Sequence, residues 1–538
     1  MISDINIRID RNSCIACGTC VDRCIMDNLR LSVAPCRQAC PLDINCQGYV
    51  RLIAMGKEEE AAEELRKHTP FSQILGRICS RPCEAACERG KTIGDGPVQV
   101  RALKRYLDER YPDVTGRRPE IMAETGLSAA VIGSGPAGLM AAYELRSMGH
   151  KVTVYDSSDK PGGLLRHGLP RFRLPVREVE EAVDLLRDMG VEFVTECAIG
   201  RDMELAQLEK EHGAIVIATG AGPSMRLNVP GADLEQVVSG LDILAKAASG
   251  GLEDFTYKRV AVIGGGNSAV DTAITCVHAG AREVVMVCLE NPNEMPAFEQ
   301  ELREARELGV RVENCWGVGG IEKTDAGSVR LSFNRCLTVF DPEGNFAPQI
   351  DETCGLHSLE TDLAAVAIGH SPDVCGLPEY LFDMQAGRFS CDPVTRQAPE
   401  NEKVFIAGDC ASGPSSVVEA FASGKEAGMS AGRYLSGEGL WYERDRYEAG
   451  GLSRRYEVIA ERAAGGARGE SPCLPVEKRG LDAETELVLD PEQAKREAER
   501  CLSCGRSFES NMTCWYCLPC EIECPYQALE VRMPYQVR

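Results

Sequence analysis

Short apolar runs and amphipathic stretches alternate along this chain and divide it into three parts. Between residues 47 and 110, KEEEAAEELRKH and VQVRALKRYLDERY space apolar residues three and four apart, which predicts helices with one buried face. From about residue 127 the period changes. AAVIG, KVTVYD, AIVIATG, RVAVIGGG, EVVMVCLE, LAAVAIG and KVFIAGD are short apolar runs, several of them ending in glycine and leading into a helical stretch. Runs of this kind predict buried strands, and their alternation with helices predicts parallel, doubly wound sheets. Residues 440–490 are charged and Gly-rich (AAGGARGE), which predicts a linker over the surface. The helical stretch PEQAKREAERCLSC then leads into the tail.

At 538 residues the chain is long enough to require several domains. It has no apolar run of membrane-spanning length, and MISDINIRID has neither a basic nor an apolar leader region, so a cytoplasmic location is expected. A formal charge of −23 argues against nucleic acid and anionic membrane surfaces as partners. The 26 cysteines change the picture more. Ten fall between Cys14 and Cys87 and six between Cys501 and Cys524, grouped at short spacings that in a reducing compartment point to metal ligation. The other ten are scattered singly and read as small packed side chains.

Two segments carry dinucleotide chemistry. In AAVIGSGPAGLMAAYELRSMGHKVTVYD, Gly133-x-Gly135-x-x-Gly138 follows a strand and opens a helix. The first glycine permits the tight turn, the second lets a pyrophosphate approach, and the third allows close helix–strand packing. The phosphate charge would sit at the helix N-terminus, and Asp156 ends the next strand, where an acid can hold ribose hydroxyls. RVAVIGGGNSAVDTAITCVHAGAREVVMVCLE repeats the pattern with Gly264, Gly266, Asn267, Ser268 and Ala269. Glu290 ends its second strand and favours a free 2′-hydroxyl, hence NAD(H) over NADP(H). Two such units suggest a flavin beside a nicotinamide. A third segment, KVFIAGDCASGPSSVVEAFASGKEAG, ends a strand in Gly408-Asp409 before a helix that could face the flavin. No Cys-x4-Cys pair lies near the flavin strands, so disulfide reduction is disfavoured.

The segments PCRQACP, GRICSRPCEAAC, VIGSGPAGL, KPGGLLRHGLPRFRLP, ATGA, VIGGGNSAVD, EMPAFEQEL, AIGH and GDCASGPSSVVEA occur in order between residues 33 and 435. In them the chain resembles the glutamate synthase small-subunit family of flavoproteins. That family includes the large subunit of NADH-dependent ferredoxin:NADP oxidoreductase and the N-terminal half of dihydropyrimidine dehydrogenase. The resemblance implies FAD against Gly133, Gly135, Pro136, Ala137, Gly138, Asp156, Gly162, Gly163, Leu164, Arg173, Thr219, Gly220, Gly369, Gly408, Asp409, Ser416 and Val417. It implies the nicotinamide dinucleotide against Gly264, Gly266, Asn267, Ser268, Asp271 and Glu290. Two positions depart from the family. Relatives that use NADPH often have Tyr-Arg-Arg where this chain has Cys288-Leu289-Glu290. Lys104 falls where some relatives place a Glu or Gln cluster ligand, and an ammonium cannot ligate iron.

Cys14-x2-Cys17-x2-Cys20-x3-Cys24 and Cys514-x2-Cys517-x2-Cys520-x3-Cys524 have the ferredoxin [4Fe–4S] spacing, in which fourth cysteines can be exchanged between motifs. Structural zinc is the competing reading. The resemblance implies that Cys40, Cys79, Cys83 and Cys87 hold one cluster and that Cys36 serves another. Cys46 fits no spacing and reads as a packed residue. Cys501 and Cys504 sit in EAERCLSC, a string that relatives carry upstream of PCRQACP, which suggests that the tail folds back onto the head.

The expected fold is α/β, with two Rossmann-like doubly wound domains, for FAD and NAD(P), after an α-helical iron–sulfur domain and between ferredoxin-like motifs. The expected order is a ferredoxin-like segment 1–32, a helical iron–sulfur domain 33–125, an FAD domain in two parts (126–250 and 366–440) around an NAD(P) domain 251–365, a linker 441–490 and a ferredoxin-like tail 491–538. The expected function is electron transfer between NAD(P)H and a redox subunit or ferredoxin through FAD and three or four [4Fe–4S] clusters, in a hetero-oligomer. Electron bifurcation is compatible with the fold but not established by it. The alternative is a non-catalytic relay subunit of a hydrogenase- or formate-dehydrogenase-type complex.

Overall fold

The computed structural model describes residues 6–252, 254–256, 258–351, 357–372, 376–383, 387–441, 452–453, 466–509 and 514–532. Two parallel sheets organise the middle of the chain. The first has six strands in the order 397–398, 401–406, 214–217, 128–132, 151–155 and 192–194, all parallel except its edge hairpin at 397–406. Its central strand, Ser128–Ile132, is buried along nearly its whole length, as a β-branched and Ala run covered on both faces should be. The second sheet has five parallel strands in the order 311–314, 283–288, 259–263, 363–366 and 237–239. An antiparallel sheet built from 316–323, 329–340, 346–351 and 357–361 follows it. The chain passes between the two nucleotide units at 221–224 and 370–372, which pair with each other antiparallel.

The doubly wound fold class is as expected, but one boundary is not. Val237–Ser239 pairs with Leu363–Val366, and helix Gly240–Ser249 packs on helix Asn267–His278. Residues 237–249 therefore go with the second sheet, not with the FAD part expected at 126–250.

The head is helical, with helices Cys46–Ala54, Glu58–Arg66, Ser72–Ile78 and Val100–Arg110. It joins the first nucleotide unit through Phe71, which stacks on Phe421 with ring centroids 5.2 Å apart. The two ends of the chain meet on this head. Ile7–Ile9 pairs antiparallel with Leu529–Val531, setting Arg8 opposite Glu530, and Leu29–Ser32 pairs with Arg506–Glu509. The described parts of the segments expected as separate units at 1–32 and 491–538 form one body.

The tail docks through helix Pro491–Glu499. Pro491 opens it, Asp490 accepts from the Gln493 N–H at 2.8 Å, and the Gln493 side chain accepts from the Asp490 N–H at 3.0 Å. Ala494 and Ala498, one turn apart, are buried on helix Cys46–Ala54. Beyond the helix, the Arg500 guanidinium donates to Glu497, Asp95 and the carbonyls of Gly466, Pro97 and Gly96.

Much of the expected surface linker, 442–451 and 454–465, lies outside the described residues. Residues 466–490 lie over the surface but are fastened to it at several points. Leu489 is buried, Arg101 pairs with Glu486 at 2.6 Å, and the Thr485 N–H donates to the Phe172 carbonyl at 3.1 Å. This strap is held because the head offers arginines to its acids.

Arg500→Ala would leave Glu497 and the surrounding carbonyls buried without their donor, a loss of about 3–5 kcal/mol. Limited proteolysis is expected to release a fragment carrying residues 501–538 from this variant, at a concentration of protease that leaves the parent intact.

Candidate functional site: two nucleotide cradles and the thiols of both chain ends

The first glycine loop is shaped by backbone contact. Gly133 has φ 99°, and a Cβ there would lie 2.3 Å from the Ala218 carbonyl oxygen; a Cβ on Gly138 would lie 1.8 Å from the Gly133 oxygen. At Gly135 a Cβ would meet nothing within 4 Å, so the open side of the loop lies at the start of helix Pro136–Ser147, whose second residue is Ala137. Gly162 and Gly163, followed by Leu164, close over it from the side, with the Gly162 N–H donating to Ser134 Oγ at 2.9 Å. Asp156 is committed to holding this loop. It accepts from the Ser134 N–H at 2.7 Å and the Ser134 hydroxyl through Oδ2, and from the Ser158 N–H at 2.8 Å through Oδ1, which leaves Oδ1 able to accept one further donor. Thr219 and Gly220 follow strand 214–217, and Gly369 accepts from the Met225 N–H at 2.9 Å at the crossing between units. Gly408 and Asp409 end strand 401–406. Asp409 accepts from the Ser415 hydroxyl at 2.7 Å, and burial pushes its carboxyl above the usual range. Ser416 and Glu419 form a capping box at the start of helix Val417–Ser436.

The second loop repeats the first. Gly264 is held against the Ala367 carbonyl, Gly266 faces open space, and Asn267 starts its helix while accepting from the Phe298 N–H at 2.8 Å. Ser268 accepts from the Thr272 hydroxyl at 2.7 Å within that helix. Glu290 folds over the loop: a Cβ on Gly265 would lie 2.5 Å from its Oε2. Arg335, a candidate phosphate-binding cation, lies over the Trp316 ring, 5.0 Å from its centroid.

Between the two cradles is a cavity of about 180 Å³ that brings Arg173, Asn267, Asp271, Ser416 and Val417 together. Arg173 and Asp271, both expected to touch cofactor, pair with each other at 2.9 Å, and Arg173 also pairs with Glu304. Burial, with Asp271 alongside, pushes Glu301 in the same wall up to about 7. The strap closes this cavity with Glu484 and Glu486. A larger cavity of about 650 Å³ lies between the head and helix Val176–Asp188, but neither glycine loop lines it.

The thiols form sets that sequence spacing only partly anticipates. Cys14, Cys17 and Cys20 share a cavity with Cys524, while Cys24 lies with Cys514, Cys517 and Cys520, so the fourth cysteines are exchanged. Cys36 and Cys87 line a third cavity with Cys501 and Cys504. Cys40, Cys79 and Cys83 face the buried Lys104. Cys87, expected with Cys40, Cys79 and Cys83, lines the third cavity. Cys46 is buried in the apolar core of the head and also lines the third cavity, beside Cys36.

The loops themselves suit iron–sulfur ligation. Ala16, Arg81, Ser503 and Tyr516 are non-glycine residues with φ of 55°, 63°, 51° and 55°, each two positions after a cysteine. In each case the left-handed turn lets that residue's N–H bond to the preceding sulfur, of Cys14, Cys79, Cys501 and Cys514 respectively. Strain of this kind costs roughly 1–3 kcal/mol per residue and persists where surrounding structure enforces it. N–H donors to sulfur are a means of tuning a cluster. Among the described residues no three His, Cys, Asp or Glu side chains are arranged to hold a single metal ion.

The family model for pyridine nucleotide-disulphide oxidoreductases matches residues 127–424, and that for dihydropyrimidine dehydrogenase domain II, 4Fe-4S cluster, matches residues 18–114. The chain belongs to the pyridine nucleotide-disulphide oxidoreductase family. It is 31% identical over 505 residues to the NADP(+)-dependent formate dehydrogenase subunit beta of Moorella thermoacetica, covering 88% of this chain and 71% of that one. It is 32% identical over 450 residues to the glutamate synthase (NADPH) small chain of Azospirillum brasilense, covering 79% and 88% respectively. The fold matches FprA of Mycobacterium tuberculosis in complex with NADPH at a TM-score of 0.51 and 18% identity, over 58% of this chain and 85% of that one, a likeness of fold alone. As a member of this family the chain is an NAD(P)H-dependent oxidoreductase with FAD- and nicotinamide-binding units and a 4Fe–4S domain. Among the described residues no helix is long and apolar enough to cross a membrane.

Glu301 gives a pH test of the wall between the cradles. Its carboxyl is raised from 4.5 to about 7, so the stability it confers is complete below pH 4.5 and is lost as pH rises through about 7. Glu301→Gln is expected to raise the melting temperature at about pH 8, by an amount corresponding to up to about 3 kcal/mol, and to change it little at about pH 4.5.

Proposed function

We propose that this chain moves electrons between a nicotinamide dinucleotide and a partner redox protein, through FAD in the first cradle and four [4Fe–4S] clusters in the four thiol sets. When bound, FAD exchanges a hydride with nicotinamide and single electrons with the clusters. The observation that carries this reading is the spatial order of the sites. Ile78 and Ser80, on either side of Cys79, line the same cavity as Ser416 and Val417 at the start of the flavin-side helix. Cys46 then lies between the Cys40 set and the Cys36 set. The ferredoxin-like body adjoins these through Asn45, whose amide donates to the Ile15 carbonyl at 3.3 Å, and through Gln47, which donates to the Gly505 carbonyl at 2.8 Å.

The far end of this series suits a partner. Among the described residues the three most exposed large apolar side chains are Ile522, Trp515 and Ile25, at 75%, 73% and 71%. Each lies one or two positions from a thiol of the outermost set, formed by Cys24, Cys514, Cys517 and Cys520. Apolar side chains grouped around a redox site are what a docking subunit would cover. The protein's own task at the flavin is orientation. The glycine loops present N–H groups to phosphates, Asp156 fixes the first loop, and the Arg173–Asp271 pair sets the approach of one unit to the other. Glu290 over the second loop supports NAD(H), although the two relatives above are named for NADP.

Protein purified without oxygen is expected to release about one FAD per chain and to reduce a viologen dye with NADH. Release of FMN, or no dye reduction with either nicotinamide, would refute the reading. The value of kcat/KM for NADH is expected to exceed that for NADPH by about tenfold, or ~1.4 kcal/mol. Glu290→Arg is expected to reverse much of that preference, measured by the same ratio; equal ratios in parent and variant would remove Glu290 from the selectivity.

A further inference from the structure

The cavity between the two cradles has polar groups in its wall that lack a partner. Three buried side-chain atoms of its lining make no hydrogen bond among the described residues: Arg105 Nε, Arg173 Nη2 and Glu301 Oε2. Arg105 Nε still has the Glu109 carboxylate 3.6 Å away, as an ion pair. Arg173 sets its Nε on Asp271 at 2.9 Å and its Nη1 on Glu304, which leaves Nη2 as the arm of the fork without an acceptor. Buried polar atoms without partners are few in a folded chain, and they mark places where a bound molecule can supply the bond.

Both groups are fixed to the second nucleotide unit. Glu301 and Glu304 lie one turn apart on helix Glu299–Glu307, so the helix that anchors Arg173 also carries Glu301. The segment before that helix is tied to the second glycine loop. The Ala297 N–H donates to the Gly265 carbonyl at 3.2 Å, and the Phe298 N–H donates to Asn267 Oδ1 at 2.8 Å. Another part of the lining, Ser416 and Val417, opens the flavin-side helix. A group seated here would meet both units.

The chemistry of the wall narrows the occupant. Glu301 and Asp271 in the lining make it a poor seat for a phosphate. A donor and an acceptor in one wall suit a group that has both. A primary carboxamide has a carbonyl oxygen to accept and N–H groups to donate, and a carboxyl keeps an acceptor lone pair whether or not it is protonated.

The geometry points to Arg173 Nη2 and Glu301 Oε2 as the donor and the acceptor for the carboxamide of the nicotinamide ring. This rests on the reading that a nicotinamide dinucleotide occupies the second cradle and meets the flavin across this cavity. Holding the amide at both atoms would fix the rotation of the ring about its bond to the ribose, and with it the face turned to the flavin.

Isothermal titration of the full-length protein, purified without oxygen and with its FAD oxidised, tests this with three probes. They are NAD+, ADP-ribose, which lacks the ring, and 3-acetylpyridine adenine dinucleotide, in which a methyl group replaces the amide nitrogen. If the parent prefers NADP+, the 2′-phosphorylated forms serve equally, because the carboxamide is the same. Glu301 Oε2 has no partner to lose in the free protein, so Glu301→Ala is expected to weaken NAD+ about tenfold and to leave both other probes unchanged. Glu301→Gln keeps an acceptor and is expected to restore most of that loss. Arg173→Lys is expected to weaken the two probes that carry the carbonyl, but not ADP-ribose. If Arg173→Lys does not accumulate as folded protein, the Glu301 variants decide. In Glu301→Ala, no loss for NAD+, or an equal loss for either control probe, would overturn the assignment. So would altered FAD content or flavin absorption with NAD+ affinity unchanged, which would put Glu301 against the flavin instead. A parent that binds neither NAD+ nor NADP+ would overturn the wider reading as well.

Discussion

The arrangement of sites depends on one buried cation. The Arg500 side chain is 1% exposed, and it ties the end of the tail helix to the turn at Asp95–Pro97 in the head. One position further on is Cys501, beside Cys36 and Cys87. A guanidinium this deeply buried is acceptable only because its donors are matched by two carboxylates and several carbonyls. The result is positional. Once Arg500 is seated, Cys501 and Cys504 have little freedom, and the strands that follow can reach Leu29–Ser32 and Ile7–Ile9.

The same use of arginine recurs where the head meets the nucleotide units. Arg77 pairs with Glu109, Glu178 and Glu484, Arg105 with Glu484, and Arg101 with Glu486, which also accepts from Gln300 at 2.6 Å. Head, strap and second nucleotide unit are thus joined by charges removed from water, while the head and the first unit share an apolar core. The two kinds of contact differ in what they tolerate. An apolar interface penalises separation roughly in proportion to area, whereas a buried ion network also penalises small misplacements that leave a charge without its partner.

How far the sequence revealed this follows from the range of each constraint. The glycine loops were legible because their requirements are local: a Cβ at Gly133 or Gly138 clashes with backbone a few residues or one strand away. The ferredoxin spacings were legible for the same reason, since three thiols on one tight loop are a local arrangement. The displaced string EAERCLSC also gave a correct sign that the tail revisits the head. What was not legible arises from convergence over long separations. No spacing puts Cys36 and Cys87 beside Cys501 and Cys504; the packing of the tail helix on the head does. Asp156, Arg173 and Asp271 matched their motif positions, but the motif does not say that their side chains will be used on a serine and on each other. The charged stretch before residue 490 resembled a solvated linker because its arginine partners lie nearly 400 positions earlier.

The grouping of thiols from both ends has a consequence for biosynthesis. Cys40, Cys79 and Cys83, around Lys104, are encoded entirely in the first part of the chain, so a nascent polypeptide could bring them together while still being translated. The set that includes Cys36 cannot be complete until residue 504 has left the ribosome, and the outer two not until residues 520 and 524 have. If these sets hold clusters as proposed, Cys14, Cys17, Cys20, Cys24, Cys36 and Cys87 would have to remain reduced and unmatched while more than 400 further residues are made. Cofactor loading would proceed from the flavin side outward, and the pocket nearest a partner would be filled only on a finished chain. On the proposed reading, translation order would thereby act as a quality check, because a prematurely terminated product would lack the thiols of the outer set.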